Sequence, residues 1–198
     1  MSKRVAELPI IAFPTAEAFR RWLASQPEAS PGVRLKLARK ASGVPTVSHK
    51  EAIDVALCHG WIDGQAEKFD ADYWLLRFTP RRPGSKWSQV NRVRALELIE
   101  EGRMASRGLR EIERAKADGR WDAAYPPQSK ASVPDDLCDA LKRNRAAQAL
   151  FLELDARNRY AILYRIHDAK RPETRAARIE KFVAMLGRGE TLYPRSKA

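Results

Sequence analysis

The sequence is poor in cysteine and histidine and has no long apolar run. Cys58 and Cys138 are its two cysteines in 198 residues, and neither belongs to a CxxC. No disulfide framework is implied, and a reducing compartment fits. The histidines, His49, His59 and His167, are too scattered for a ligand motif, so neither a metal nor another cofactor is expected. The longest uncharged stretches, Leu8 to Ala16 and Ala41 to His49, are nine residues each, whereas a membrane-spanning helix needs about 20. Lys3 and Arg4 stand near the start, but Glu7 and Pro9 interrupt the apolar core that an export signal needs. The expectation is a cytoplasmic protein without a membrane span. No internal repeat at solenoid periods is visible.

Negative charge is scarce as well. Lys and Arg number 37 against 25 Asp and Glu, a formal net charge of +12. Such a balance favours anionic partners (nucleic acid, acidic lipid head groups, phosphorylated metabolites), although a merely solvated basic surface gives the same count. An apolar content of 44%, with five Trp, five Tyr and six Phe, excludes disorder as the main state. The oligomeric state is left open by the sequence.

Periodicity predicts an α+β fold: a small antiparallel or mixed sheet packed with helices, followed by a helical subdomain. Leu8 to Phe13 reads as a buried strand before Pro14. Thr15 caps a helix through Gln26, and Val33, Leu35 and Leu37 alternate as a half-buried strand. Ser48 and Glu51 form a capping box for a helix ending at His59, with Gly60 as its left-handed stop. Trp61 to Lys68 and Tyr73 to Thr79 form a hairpin. Its second strand turns Trp74, Leu76 and Phe78 to the core; its first places Trp61, Asp63, Gln65 and Glu67 on one polar wall. Val90, Val93, Leu96 and Ile99 then make the apolar stripe of a helix that stops at Gly102, and Ser106 starts another. The body is predicted over residues 1–122, a linker over 123–133 and three or four helices over 134–198, the last from Pro172 to Gly187.

The stretch from Asp72 to Glu97 carries six basic side chains and no acidic one between its ends: Arg77, Arg81, Arg82, Lys86, Arg92 and Arg94. Pro80 and Pro83 stiffen the middle, and a helix starting near Ser85 or Ser88 would offer free backbone N–H groups. The candidate anion site therefore comprises Lys36, Asp63, Arg77, Arg81, Arg82, Ser85, Lys86 and Asn91, with Trp61 and Trp87 as stacking walls. The competing reading is that Asp63, Glu67, Asp70 and Asp72 neutralise the arginines across the hairpin.

Other clusters support weaker readings. Asp63 or Glu67 could serve as acid or base in an enzyme acting on an anionic small molecule, with the arginines as clamps; a charged ladder across the strands is the plainer account. Cys58 and His59 point about 100° apart on a helix, so a nucleophile pair is not formed. Cys58 reads as core, and His59 as exposed or donating to the last helical carbonyls. Arg171, Arg175 and Arg178 stand one turn apart and could follow a phosphate backbone in a general nucleic-acid binder. Local pairing with Glu173 and Glu180 explains them equally well.

Several strings resemble one bacterial family. They are Ser42-Gly43-Val44-Pro45, Glu51-Ala52 leading to Ala56-Leu57-Cys58, Gly60-Trp61-Ile62-Asp63-Gly64-Gln65, and Arg77-Phe78-Thr79-Pro80-Arg81-Arg82-Pro83. Ser85 to Asn91, Lys116 to Trp121, Asp168 to Arg175 and Arg178 to Lys181 continue the likeness, over most of Val33 to Gly189. The family is named YdeI/OmpD-associated, or bacteriocin-protection, proteins. The resemblance implies a role in envelope stress or antimicrobial resistance without defining a chemistry. The combined expectation is a non-catalytic binding protein for a small anionic ligand.

Overall fold

The computed structural model describes residues 7–194; Lys3 and Arg4 lie outside them. The chain divides between Ala124 and Tyr125 into two compact units. The first is α+β, and the second is helical among its described residues.

The first unit is built on a four-stranded mixed sheet in the order β1-β2-β4-β3. Leu8 to Phe13 supplies only the two-residue strand β1 (Ile10–Ile11), parallel to β2 (Val33–Ala38). β2 pairs antiparallel with β4 (Tyr73–Pro80), which pairs antiparallel with β3 (Trp61–Lys68). Val33, Leu35 and Leu37 lie opposite Phe78, Leu76 and Trp74, and cross-strand neighbours share a face, so these six form the inner face. Helix α1 (Ala16–Ser25) covers it with Phe19 and Leu23, and starts where Thr15 Oγ1 accepts from Ala18 N–H. Helix α2 (His49–Cys58) has the expected capping box: Glu51 N–H donates to Ser48 Oγ, and Ser48 N–H to Glu51 Oε2.

Helix α2 is buried on two sides. Ala52, Val55 and Ala56 join the sheet core, whereas Leu57 and Cys58 join a second cluster with Trp87, Leu98, Ile112 and Trp121. That cluster lies between α2, α3 (Gln89–Glu100) and α4 (Ser106–Ala117). Burying each of its large side chains is worth about 1.5–3 kcal/mol. Gly108 lets α4 reach the end of α2, because a Cβ there would lie 2.4 Å from the Cys58 carbonyl.

Two expectations about which side chains share a face fail in this unit. The polar wall of β3 is broken by an irregularity between Asp63 and Ala66. Asp63 pairs with Phe78 on the inner side, while Glu67 pairs with Leu75 on the outer side, so the two carboxylates do not share a face with each other. The predicted stripe of α3 is exposed: Val90 is 56% and Val93 53% accessible, and Leu96 and Ile99 are open too. Residues three apart drift about 60° around a helix at each step, so that stripe winds instead of facing one neighbour. The buried face carries Ala95 and Leu98 with Arg94 beside them, at positions three and four apart. Arg94 fixes the rotation by gripping Asp54 of α2 through Nε–Oδ1 and Nη2–Oδ2 contacts of 2.8 Å each.

The stretch 123–133 is packed at both ends. Ala124 is buried in the first unit, and Ala131 and Val133 pack on the core of the second. That unit contains α5 (Asp135–Lys142), α6 (Arg145–Leu152), α7 (Ala156–His167) and α8 (Pro172–Gly187). Leu137, Phe151, Ile162, Ile166, Phe182 and Leu186 form its centre. Helix α8 runs through Gly187, and the left-handed turn falls on Gly189 at φ +79°.

Candidate functional site

The loop after β4 and the outer side of α4 meet at the end of α2. Gly60 makes the junction: it adopts φ +71°, its carbonyl accepts from Arg81 N–H at 2.9 Å, and a Cβ there would stand 3.0 Å from both the Arg107 carbonyl and Glu111 Cγ. This close approach brings Arg81 and Arg82 to a row on α4 at helical spacing, Arg107, Arg110, Glu111 and Arg114. Between them lies a cavity of about 280 Å³. Glu28 supplies the second carboxylate of its lining.

Five guanidinium groups thus meet two carboxylates. Arg110 Nη2 is 2.9 Å from Glu28 Oε1, and Arg114 Nη1 is 2.8 Å from Glu111 Oε1. Arg107 donates instead to the carbonyls of Gln26 and Pro27, at 3.1 and 3.3 Å, which uses two of its five N–H donors without cancelling its charge. Arg82 is exposed and its side chain has no ion pair among the described residues. Arg81 is 5% exposed; its guanidinium lies 3.7 Å from the centre of the Trp87 ring, and its Nη1 donates to the Lys86 carbonyl. The buried Arg120 pins the same loop by donating from Nη1 to the Ser85 carbonyl at 2.8 Å. Ser85 Oγ in turn accepts from Arg82 N–H.

Two of the four carboxylates expected to neutralise the loop face β2 instead. Glu67 faces Arg34 at 3.7 Å and Asp70 faces Lys36 at 3.9 Å, both partners coming from β2. Lys36 also lies over the Tyr73 ring, 3.9 Å from its centre. Of the residues predicted for the site, Arg81 and Arg82 line the cavity, and Ser85 and Lys86 brace the loop that carries them. Lys36 and Arg77 belong to the outer face of the sheet, where Arg77 stands opposite Arg34. Asn91 belongs to the start of α3, where its N–H donates to the Ser88 cap. Asp63 lies on the hairpin and is not part of the lining.

The two tryptophans are not stacking walls. Trp61 is fully buried in the sheet core, 5.9 Å from Trp22 between ring centres. Trp87 is 2% exposed and packs edge-on against Trp121 at 4.8 Å; it holds Arg81 and offers a ligand no open face. His59, expected to be exposed or to donate to the last helical carbonyls, is buried beside this junction. Burial pushes its pKa below the ordinary value, and the charges of Arg20 and Arg107 push the same way. Cys58 is core, and burial raises its thiol pKa, so it is a poor nucleophile.

The α4 row was missed by sequence reading, although its signal is plain afterwards: three arginines at i, i+3 and i+7 around a glutamate at i+4. Among the described residues there is no group of three or more His, Cys, Asp or Glu able to hold a metal, and no helix is long and apolar enough to cross a membrane. In the second unit, Arg175 is gripped by Asp136 at 2.6 and 2.9 Å and Arg178 lies 3.6 Å from Asp168. Their partners are these aspartates and not Glu173 and Glu180, and the basic edge is largely spent.

Comparisons with known proteins divide the chain as the structure does. Residues 130–189 match the family described as bacteriocin-protection, YdeI or OmpD-associated, which covers the C-terminal part of the likeness noted above. Residues 11–111, just over half of the chain, match a family described as a domain of unknown function (DUF8412). Neither a curated protein nor a solved structure gives a match. The chain belongs to the DUF8412 family through its α+β unit, and its helical unit resembles the YdeI or OmpD-associated proteins.

Proposed function

We propose that this protein is a non-catalytic binder of a small phosphorylated or carboxylated anion, seated in the cavity between the Pro80–Pro83 loop and α4. One observation carries the reading: of the guanidiniums that line the hollow, Arg82 and Arg107 have no ion pair among the described residues, leaving positive charge to be answered by a visitor. Arg81, Arg107, Arg110 and Arg114 are held by carbonyls, a ring and short ion pairs, so the side-chain entropy lost when an anion enters falls mainly on Arg82. Both lining carboxylates already face arginines, which disfavours them as acid or base. The family likeness of the second unit supports a role in resistance to bacteriocins or envelope stress, with the anion as the signal or the threat being neutralised.

The test is calorimetric titration of inorganic phosphate and pyrophosphate at low ionic strength. Each charge-assisted contact is worth about 1.5–3 kcal/mol. The Arg82→Ala/Arg110→Ala variant should therefore bind at least tenfold more weakly than wild type. Arg77→Ala removes a charge from the outer sheet face and should change affinity less than twofold. Equal weakening by Arg77→Ala would reduce the site to a net-charge effect, and unchanged binding in the double variant would remove the cavity from consideration.

A further inference from the structure

The second unit contains a larger hollow that the anion cavity does not explain. A groove of about 720 Å³ runs between α5 and α8. These helices lie side by side in the same direction: Arg175 near the start of α8 holds Asp136 near the start of α5, and at the far end a Cβ on Gly187 would stand 2.8 Å from Asn144 Nδ2. The walls between those closures are small and apolar, formed by Ala140, Ala176, Ile179, Val183 and Ala184. Alanine on both sides keeps the groove open, since larger side chains would fill it. From Asp136 to Asn144 the wall is eight residues, about 12 Å, which is the length of a medium-chain acid.

The polar rim is uneven. Arg175 is neutralised by Asp136, and the neighbouring Lys142 by Asp139 at 2.9 Å. Arg143, exposed at the Asn144 end, has no ion pair among the described residues. Glu180 stands midway along the rim and repels a negative head group there, which confines such a group to the Arg143 end. Grooves of roughly 300–1,000 Å³, mainly apolar with a few convergent polar groups, are the usual form of small-molecule sites.

We propose that this groove binds an anionic amphiphile, its head group at Arg143 and its aliphatic chain lying on Ala140, Ala176 and Ile179 toward the Asp136–Arg175 pair. The site is independent of the α4 cavity and uses different chemistry, because burial of the chain supplies the affinity and one cation supplies the selectivity.

The experiment titrates decanoate and decyltrimethylammonium, below their micellar range, into the 198-residue chain and follows calorimetry or chemical-shift changes. Wild type should bind decanoate saturably at one site, at least tenfold more tightly than the ammonium. Arg143→Glu should reverse that order. Ala176→Phe should abolish binding of both by filling the groove, and Ala184→Leu serves the same purpose should the first variant unfold. Non-saturable uptake in wild type, a preference unchanged by Arg143→Glu, or affinity unchanged in a folded groove-filled variant would each overturn the proposal.

Discussion

Two arginine-rich places in the first unit, built from the same side chain, end in opposite electrostatic states. On α3, Arg94 meets three carboxylates: Asp54 through two 2.8 Å contacts, Glu97 at 2.6 Å and Glu101 at 2.9 Å. Its positive charge is consumed, and its pKa is pushed further above the usual range, chiefly by the Asp54 hydrogen bonds. Around the α4 cavity, Arg110 and Arg114 take Glu28 and Glu111, Arg107 is held by the carbonyls of Gln26 and Pro27, and Arg82 faces no carboxylate among the described residues. Counting basic residues along the chain treats both places alike. What separates a strut from a binding site is whether carboxylates lie within reach, and that depends on elements distant in sequence, since Asp54 is 40 residues from Arg94.

The comparison breaks most sharply at Arg94. Asp54 is buried, so Arg94→Ala leaves its carboxylate without its main partner, and loss of one half of a buried pair costs about 3–5 kcal/mol. Partial solvent access to Arg94 places the expected loss near the lower figure, measured by urea unfolding at neutral pH. A loss below about 1 kcal/mol would show that the pair does not fix α3.

Arg81 tests the other side. Its ring contact and stem packing predict a smaller loss for Arg81→Ala, about 1–2 kcal/mol, with weaker phosphate binding in the same variant. Reduced stability with phosphate affinity intact would make Arg81 a strut like Arg94.

His59 reports first its own burial and then the charges of Arg20 and of Arg107, which lines the cavity. Its folded pKa lies below 6.5, so between that folded value and 6.5 the unfolded chain binds more protons. Stability contributed by keeping His59 neutral is complete above pH 6.5 and is lost as pH falls toward the folded pKa. Melting temperature should therefore slope downward over this window in wild type, and less steeply in His59→Gln. Arg107→Ala should move the imidazole pKa upward in an NMR titration. A slope identical in wild type and His59→Gln would assign the acid sensitivity to other groups.

The smallest effect belongs to the exposed stripe of α3. Leu96 is open to solvent, so Leu96→Lys should change stability by less than about 0.5 kcal/mol. A cost of 2 kcal/mol or more would restore the stripe to a packed role and weaken the assignment of the helix rotation to Arg94.

These cases show why some features were legible in the sequence and others were not. Thr15, Ser48 with Glu51, and Gly60 act on backbone groups a few residues away, so chain order alone announces the helix ends. The alternation of Trp74, Leu76 and Phe78 fixes a face because strand geometry has a period of two. The Asp63–Glu67 wall failed because one irregularity in register reverses every later side chain, and nothing local marks it beyond Gly64. Trp61 and Trp87 were misassigned because a large aromatic ring serves a core or a ligand equally well until its neighbours are known.

By itself, then, the sequence determined the local punctuation, the α+β body with a helical end, the surplus of positive charge and the loop that concentrates it. These follow from short-range backbone chemistry and composition. Only the tertiary structure decided that α4 faces the loop through Gly60 and Gly108, that Glu67 and Asp70 are taken by β2, and that Arg82 is left without a carboxylate. The physical reason is distance: Coulombic and hydrogen-bond partners act over a few ångströms, and folding, not chain order, chooses which groups come that close.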